Sequence, residues 1–160
     1  MVQTVVNKKQ AFGVEGSIYD QSPVRAAAYV AGTGGVKVGC VCTADDDAPE
    51  IANLGGSDVF VGIAINHLEY ANYSNLTASM NLPAGAQVTC ATFGHIVVRS
   101  ATAFKIGYDA MYNTTTGAIS AVADATADSA IPEGYAVIPH AKFILVNGAE
   151  GEMGVLELSN

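Results

Sequence analysis

The sequence predicts a mainly β protein: a compact β-barrel or tulip-like domain with an extended N-terminal arm and little helix. Three observations carry that prediction. Seventeen glycines punctuate the 160 residues, a density that suits many tight turns. Half of the residues are hydrophobic while only 14% are charged, a balance that argues against both coiled coil and disorder. No stretch beyond about a dozen residues keeps its apolar positions at helical spacing. A jelly-roll sandwich is the alternative topology, because strand order leaves no trace in periodicity. A chain of this length buries roughly two-thirds of its unfolded surface and needs no disulfide or metal staple to fold.

Residues 1–25 read as an arm and residues 26–160 as the body. In the arm, "VNKKQAFGVEGSIYDQSPVR" mixes glycine and polar residues with isolated large apolar ones and keeps neither helical nor strand periodicity. Spaced hydrophobes of that kind suit a segment that docks on something, since a tail without a partner would be polar throughout.

The body carries β punctuation from end to end. Residues 36–43, "VKVGCVCT", alternate after the turn "AGTGG" and predict a strand. Residues 44–56, "ADDDAPEIANLGG", read as an acidic, turn-rich loop. A buried strand is expected over residues 59–65, and residues 72–85 read as loop. "AQVTCATFGHIVVRS" predicts two strands pivoting at Gly94. "KIGYDAMYN" and "GAISAV" predict a hairpin around residues 113–117, and residues 135–160 supply the last strands. Pro139 is expected at a bulge or an edge, because proline donates no ladder hydrogen bond.

Chemistry finds little to work with. "AGTGGVKVG" lacks the lysine and hydroxyl that follow the last glycine of a phosphate loop, and a strand rather than a helix follows it. The run Asp45–Asp46–Asp47 lacks the glycine and glutamate that a calcium loop places in register, so it reads as a solvated tip. His67, His95 and His140 stand in separate contexts with no nucleophile or metal signature beside them, and are expected to be partly buried structural residues. Cys40, Cys42 and Cys90 form no paired zinc motif and read as buried thiols. No catalytic residue, cofactor or metal is therefore expected. The formal net charge of −8, with basic residues scattered singly, argues against nucleic acid as a partner. The start, "MVQTVVNKKQ", has no signal-peptide core and no apolar stretch is long enough to span a bilayer, so synthesis in a cytoplasm without membrane association is expected.

The order of several segments resembles one known family. "GSIYDQSPVRAAAYVA", "VGCVCT", "VFVGIAINHLEYAN", "LPAGAQVTCATFGHIVVRS" and "KIGYDAMYNTTTGAIS" follow one another as in the capsid decoration, or cement, proteins of tailed bacteriophages. The shared motifs are glycine and valine spacings in strands and hairpins. The alanine-rich residues 118–130 and the Cys40/Cys42 pair depart from the pattern. The resemblance implies a virion protein on the outer surface of an icosahedral head, without enzymatic activity, that holds neighbouring major capsid protein subunits together. It also implies self-association, as a homotrimer with a dimer as the alternative.

Adhesion suits the residues independently. An arm can add a strand to a neighbouring sheet edge, with Phe12, Ile18 and Tyr19 as anchors. Arg25, Tyr70 and Tyr73 complete the candidate partner contacts. Symmetric repetition of modest contacts raises avidity by roughly 10² to 10⁴. The acidic residues 45–50 are expected to face outward. Two other classes are a small-molecule binder with Tyr108, Tyr112 and His95 lining a barrel mouth, and a tail-tube or fibre subunit.

Overall fold

The computed structural model describes residues 13–66, 80–126 and 131–159. Strands β1 (Arg25–Ala31), β2 (Val36–Lys37), β3 (Val41–Asp45), β4 (Ala48–Leu54) and β5 (Val59–Ala64) precede β6 (Asn81–Leu82) and the long β7 (Gln87–Arg99). Then come β8 (Asp109–Asn113), β9 (Ile119–Val122), β10 (Tyr135–Ile144) and β11 (Met153–Ser159). No helix occurs among the described residues.

Nine strands form one mixed sheet in the order β1-β4-β3-β5-β7-β11-β10-β8-β9, and β2 pairs separately with β6. β1 also pairs antiparallel with β7. The first five strands of that order therefore curl until β1 meets β7, the far end of the run. The remaining four continue as an open extension, so the mainly β expectation holds but the sheet as a whole is not a closed barrel.

Alternation explains how this arrangement makes two cores. Successive strand residues point to opposite faces, and β3, β5 and β7 present buried side chains on both. Cys42, Ala64 and Cys90 face a cluster with Ala31, Val36, Val38, Ala52, Leu82 and Val88. Their neighbours Val41, Ile63 and Ala91 face a second cluster containing Phe104, Ile119, Phe143, Leu156 and Leu158. A wall buried on both sides has no polar face to show, which is why "VGCVCTA" and "VFVGIA" read as nearly continuous apolar runs. The three thiols lie in this wall region and are buried, as the sequence suggested.

Several expectations change. Residues 44–56 are not one loop: they form the β3–β4 hairpin, whose turn is only residues 46–47. The Asp47 N–H donates to Asp45 Oδ1 at 3.0 Å, an aspartate turn that lets an acidic run serve as a hairpin tip. Residues 87–99 are one strand and not two. Even so, the positions facing the large-residue core change from odd (Ala91) to even (Ile96, Val98) across a bulge at Thr92. Gly94 has φ 122°, and a Cβ there would come within 3.0 Å of the Val24 side chain. His140, at φ 50°, is exposed rather than partly buried, and His67 lies outside the described residues.

Other expectations hold. The β8–β9 hairpin turns where predicted, with Asn113 Oδ1 accepting from the Thr115 and Thr116 N–H groups at 2.9 and 3.0 Å. Pro139 sits inside the register shift of β10 against β8, between Val137 and Lys142.

Candidate interaction surface

Of the candidate contact residues, Ile18, Tyr19 and Arg25 are described, and all three fall on one continuous stretch. Phe12, Tyr70 and Tyr73 lie outside the described residues. The stretch begins with a fastened root. The Gly16 N–H donates to Val97 O at 2.7 Å, the Val97 N–H to Ser17 O at 2.8 Å, and the Tyr19 N–H to His95 O at 2.9 Å. Ile18 thereby bridges Ile96 while its side chain stays 43% exposed. Ile96 meets Leu156 of β11 on its other edge, so the root and β1 share one edge of β7.

Polar groups reinforce the root. Glu15 lies 3.8 Å from the Lys37 ammonium and 3.5 Å from Arg99 Nε, while Arg99 also donates to Gly151 O at 2.6 Å. Asp20 Oδ2 stands 2.8 Å from His95 Nδ1, and the Ser22 N–H donates to Asp20 Oδ1 at 3.0 Å. Hydrogen bonds from the Ser22 side chain first, and then from His95, hold the Asp20 carboxyl down at about 2.

Ser22, His95 and Asp20 have the composition of a hydrolytic triad, but their geometry excludes that relay. Ser22 Oγ lies 3.4 Å from the same Nδ1 that Asp20 occupies. A relay needs the carboxylate on one ring nitrogen and the hydroxyl on the other. The arrangement fastens a segment and passes no proton through the ring. Among the described residues there is no group of three or more His, Cys, Asp or Glu side chains that could hold a metal.

β1 follows the root. Arg25 places its guanidinium 5.7 Å from the Phe93 ring centroid, a cation–π contact. Ala26, Ala27 and Ala28 are exposed on successive positions, hence on both faces of the strand, and Val30 is 44% exposed. β1 is thus exposed on both faces over residues 26–28.

The alternative ligand lining does not assemble. Tyr112 is buried in the large-residue core, with its hydroxyl donating to Gly56 O at 3.0 Å, while His95 is occupied by Asp20. Neither they nor Tyr108 line the two shallow depressions described. One, of about 410 Å³, lies among Thr33, Lys37, Leu54, Asn81 and Pro83. The other, of about 320 Å³, lies beside Gly32, Asp45 and Asn53.

Sequence reasoning missed the fastening set of Glu15, Lys37, Asp20, His95 and Arg99. The one available signal was charge: Glu15 and Asp20 are the acids of an arm otherwise without them.

Comparison with known proteins adds three findings. The family described as structural cement protein (E217 gp24/Pam3 gp6) matches residues 2–159. A chain in the capsid of Myoviridae phage XM1 has the same fold at a TM-score of 0.70 and 12% identity, over 99% of this chain and 98% of that one. The N base of head fibre gp8.5 of bacteriophage phi29 aligns at a TM-score of 0.42 and 13% identity, over 86% of this chain and 95% of that one. No curated protein sequence matches.

Proposed function

We propose that this chain, which belongs to the structural cement protein family and is a virion structural protein, coats the outer surface of an icosahedral tailed-phage head as a homotrimer, bridging neighbouring major capsid protein subunits by adhesion alone and catalysing nothing. The observation that carries this reading is β1 with its root: a stretch anchored at one end and bare on both faces at the other. Ile18, Tyr19 and Arg25 are its shell contacts, with Phe12, Tyr70 and Tyr73 as further candidates. Residues 1–25 act as the arm and residues 26–160 as the body that presents it.

The low charge density supports the same reading, since a surface with few charges tolerates permanent cover. Trimeric display multiplies a modest contact, because each later engagement is effectively intramolecular.

The test is to add purified protein to undecorated expanded heads and image them. Density at repeated positions on the outside, with heads surviving higher temperature, is the expected outcome. A tail-tube or fibre subunit would instead form rings or filaments alone and leave heads bare. Replacing Ile18 and Tyr19 with serine is expected to weaken head binding while the body stays folded.

A further inference from the structure

The strand edges of this sheet are not treated alike. At β9 the outer edge is sealed: the Ala121 N–H donates to Thr102 Oγ1 at 2.9 Å, and the Ala101 N–H to Ile119 O at 2.8 Å. At β4 the outer edge meets β1 only at Ile51 and Ala52, opposite Val30 and Ala31. Upstream of that contact β4 begins Ala48–Pro49–Glu50, and a proline with a charge is the usual defence of an edge against added strands. β1 has no such defence. From Ala26 to Tyr29 it pairs with β7 on one side, and among the described residues no strand pairs with the other. Its three consecutive alanines put no bulk in the way of a neighbour.

We propose that this open edge of β1 accepts residues 1–12 of a second copy of the chain as an added strand. The inference rests on the oligomeric cement reading and says which surface joins the copies.

Composition and charge point to this occupant. Residues 1–12 contain Val2, Thr4, Val5 and Val6, β-branched residues that suit a strand, together with Lys8 and Lys9 and no acid. The adjacent β3–β4 hairpin, whose β4 runs parallel to β1, carries exposed Asp45, Asp46, Asp47 and Glu50. A basic segment laid along β1 thus meets an acidic rim, and the wrong partner, an acidic strand, is repelled.

Chain direction favours a second copy over self-addition. The root and β1 run in sequence along the same edge of β7, from Val97 toward Gln87. To reach its own β1, the segment would have to reverse after residue 13 and pass back over residues 13–24. The turn closed by the Ser17 N–H on Val14 O already commits Glu15 to Lys37 and Arg99. A neighbour supplies the strand without that reversal. Donor and acceptor surfaces differ, so the contact closes either by reciprocal exchange in a two-fold dimer or as a head-to-tail ring of more copies.

The test uses the full chain. Val5 is replaced by the photo-cross-linker p-benzoylphenylalanine, and light and heavy isotope forms are reassembled together, with mixed oligomers verified by native mass spectrometry. Irradiation is expected to join the residue-5 peptide of one isotope to residues 26–37 of the other. Cross-links within one isotope only, cross-links to another surface of the neighbour, or a monomer in solution would each overturn the proposal. Reversing Lys8 and Lys9 to glutamate is expected to lower the mixed yield roughly three- to tenfold, and Asp46→Lys with Glu50→Lys to restore it. An unchanged yield after the lysine reversal overturns it as well. No head is present in this experiment. A chain that cross-links as expected yet ignores heads keeps this inference and loses the cement reading, while the opposite pair of results does the reverse.

Discussion

The two cores share a wall and differ in what they hold. On one face of β3, β5 and β7 the cluster consists of alanine, valine and cysteine, with Leu82 as its largest fully buried side chain. On the other face Phe104 and Phe143 stack at 4.7 Å between ring centroids, among isoleucines and leucines. The difference follows from curvature. Five strands curled until β1 meets β7 leave a narrow interior that only small side chains fill, whereas the open extension β11-β10-β8-β9 folds over a wider space. Residue size along a strand here reports which side of the wall a position faces.

The contrast can be broken by mutation. Phe143→Ala should lower stability by about 3–5 kcal/mol, because the aromatic stack leaves a cavity that a packed sheet cannot close. Denaturant titration reads it, and a loss under 1 kcal/mol would mean that the second core is not close-packed. In the narrow core enlargement should cost more than truncation. Ala64→Leu is expected to be destabilising by about 1–3 kcal/mol through overpacking, and more so than Val88→Ala. If trimming Val88 proves worse than enlarging Ala64, the interior is roomier than the argument requires.

The thiols sharpen the comparison further. Burial pushes Cys40 up to about 12, and Cys42 is raised well above its ordinary value, first by a hydrogen bond to the Cys90 side chain and then by burial. Thiolates being the reactive form, alkylation at pH 8 should proceed no faster than unfolding. Rapid native labelling would show that the ring opens locally. The smallest effect is expected outside both cores. The Asp20 carboxyl is lowered from 3.8 to about 2 in the folded chain. Its contribution is therefore fully present above about pH 4 and is lost as pH falls through about 2. Stability curves of the native chain and Asp20→Asn should run parallel above pH 4 and converge below it; a gap that persists at pH 2 would contradict the assignment.

How much of this was legible in the sequence depended on distance along the chain. The β8–β9 hairpin was readable because Asn113 and Gly117 complete their turn within five residues. Pro139 announced its bulge through chemistry that belongs to proline alone. β4 was missed because Pro49 and Glu50 lower strand propensity and the aspartate run hides a two-residue hairpin turn, while its pairing with β1 is tertiary. The two cores were hidden because one wall serves both, so alternation gave no polar face by which to separate them. For the proposed interaction surface, Phe12, Ile18 and Tyr19 were singled out by their size in a polar segment. The fastening of the root was invisible, since Asp20 and His95 lie 75 positions apart.

The pairing of residues 16–19 with β7 also fixes an order of events in biosynthesis. Ribosomes release the root early, yet its partner, Val97, emerges about eighty residues later, and contacts so distant form slowly. The root must therefore wait, unpaired with β7, until residues 95–97 have been translated.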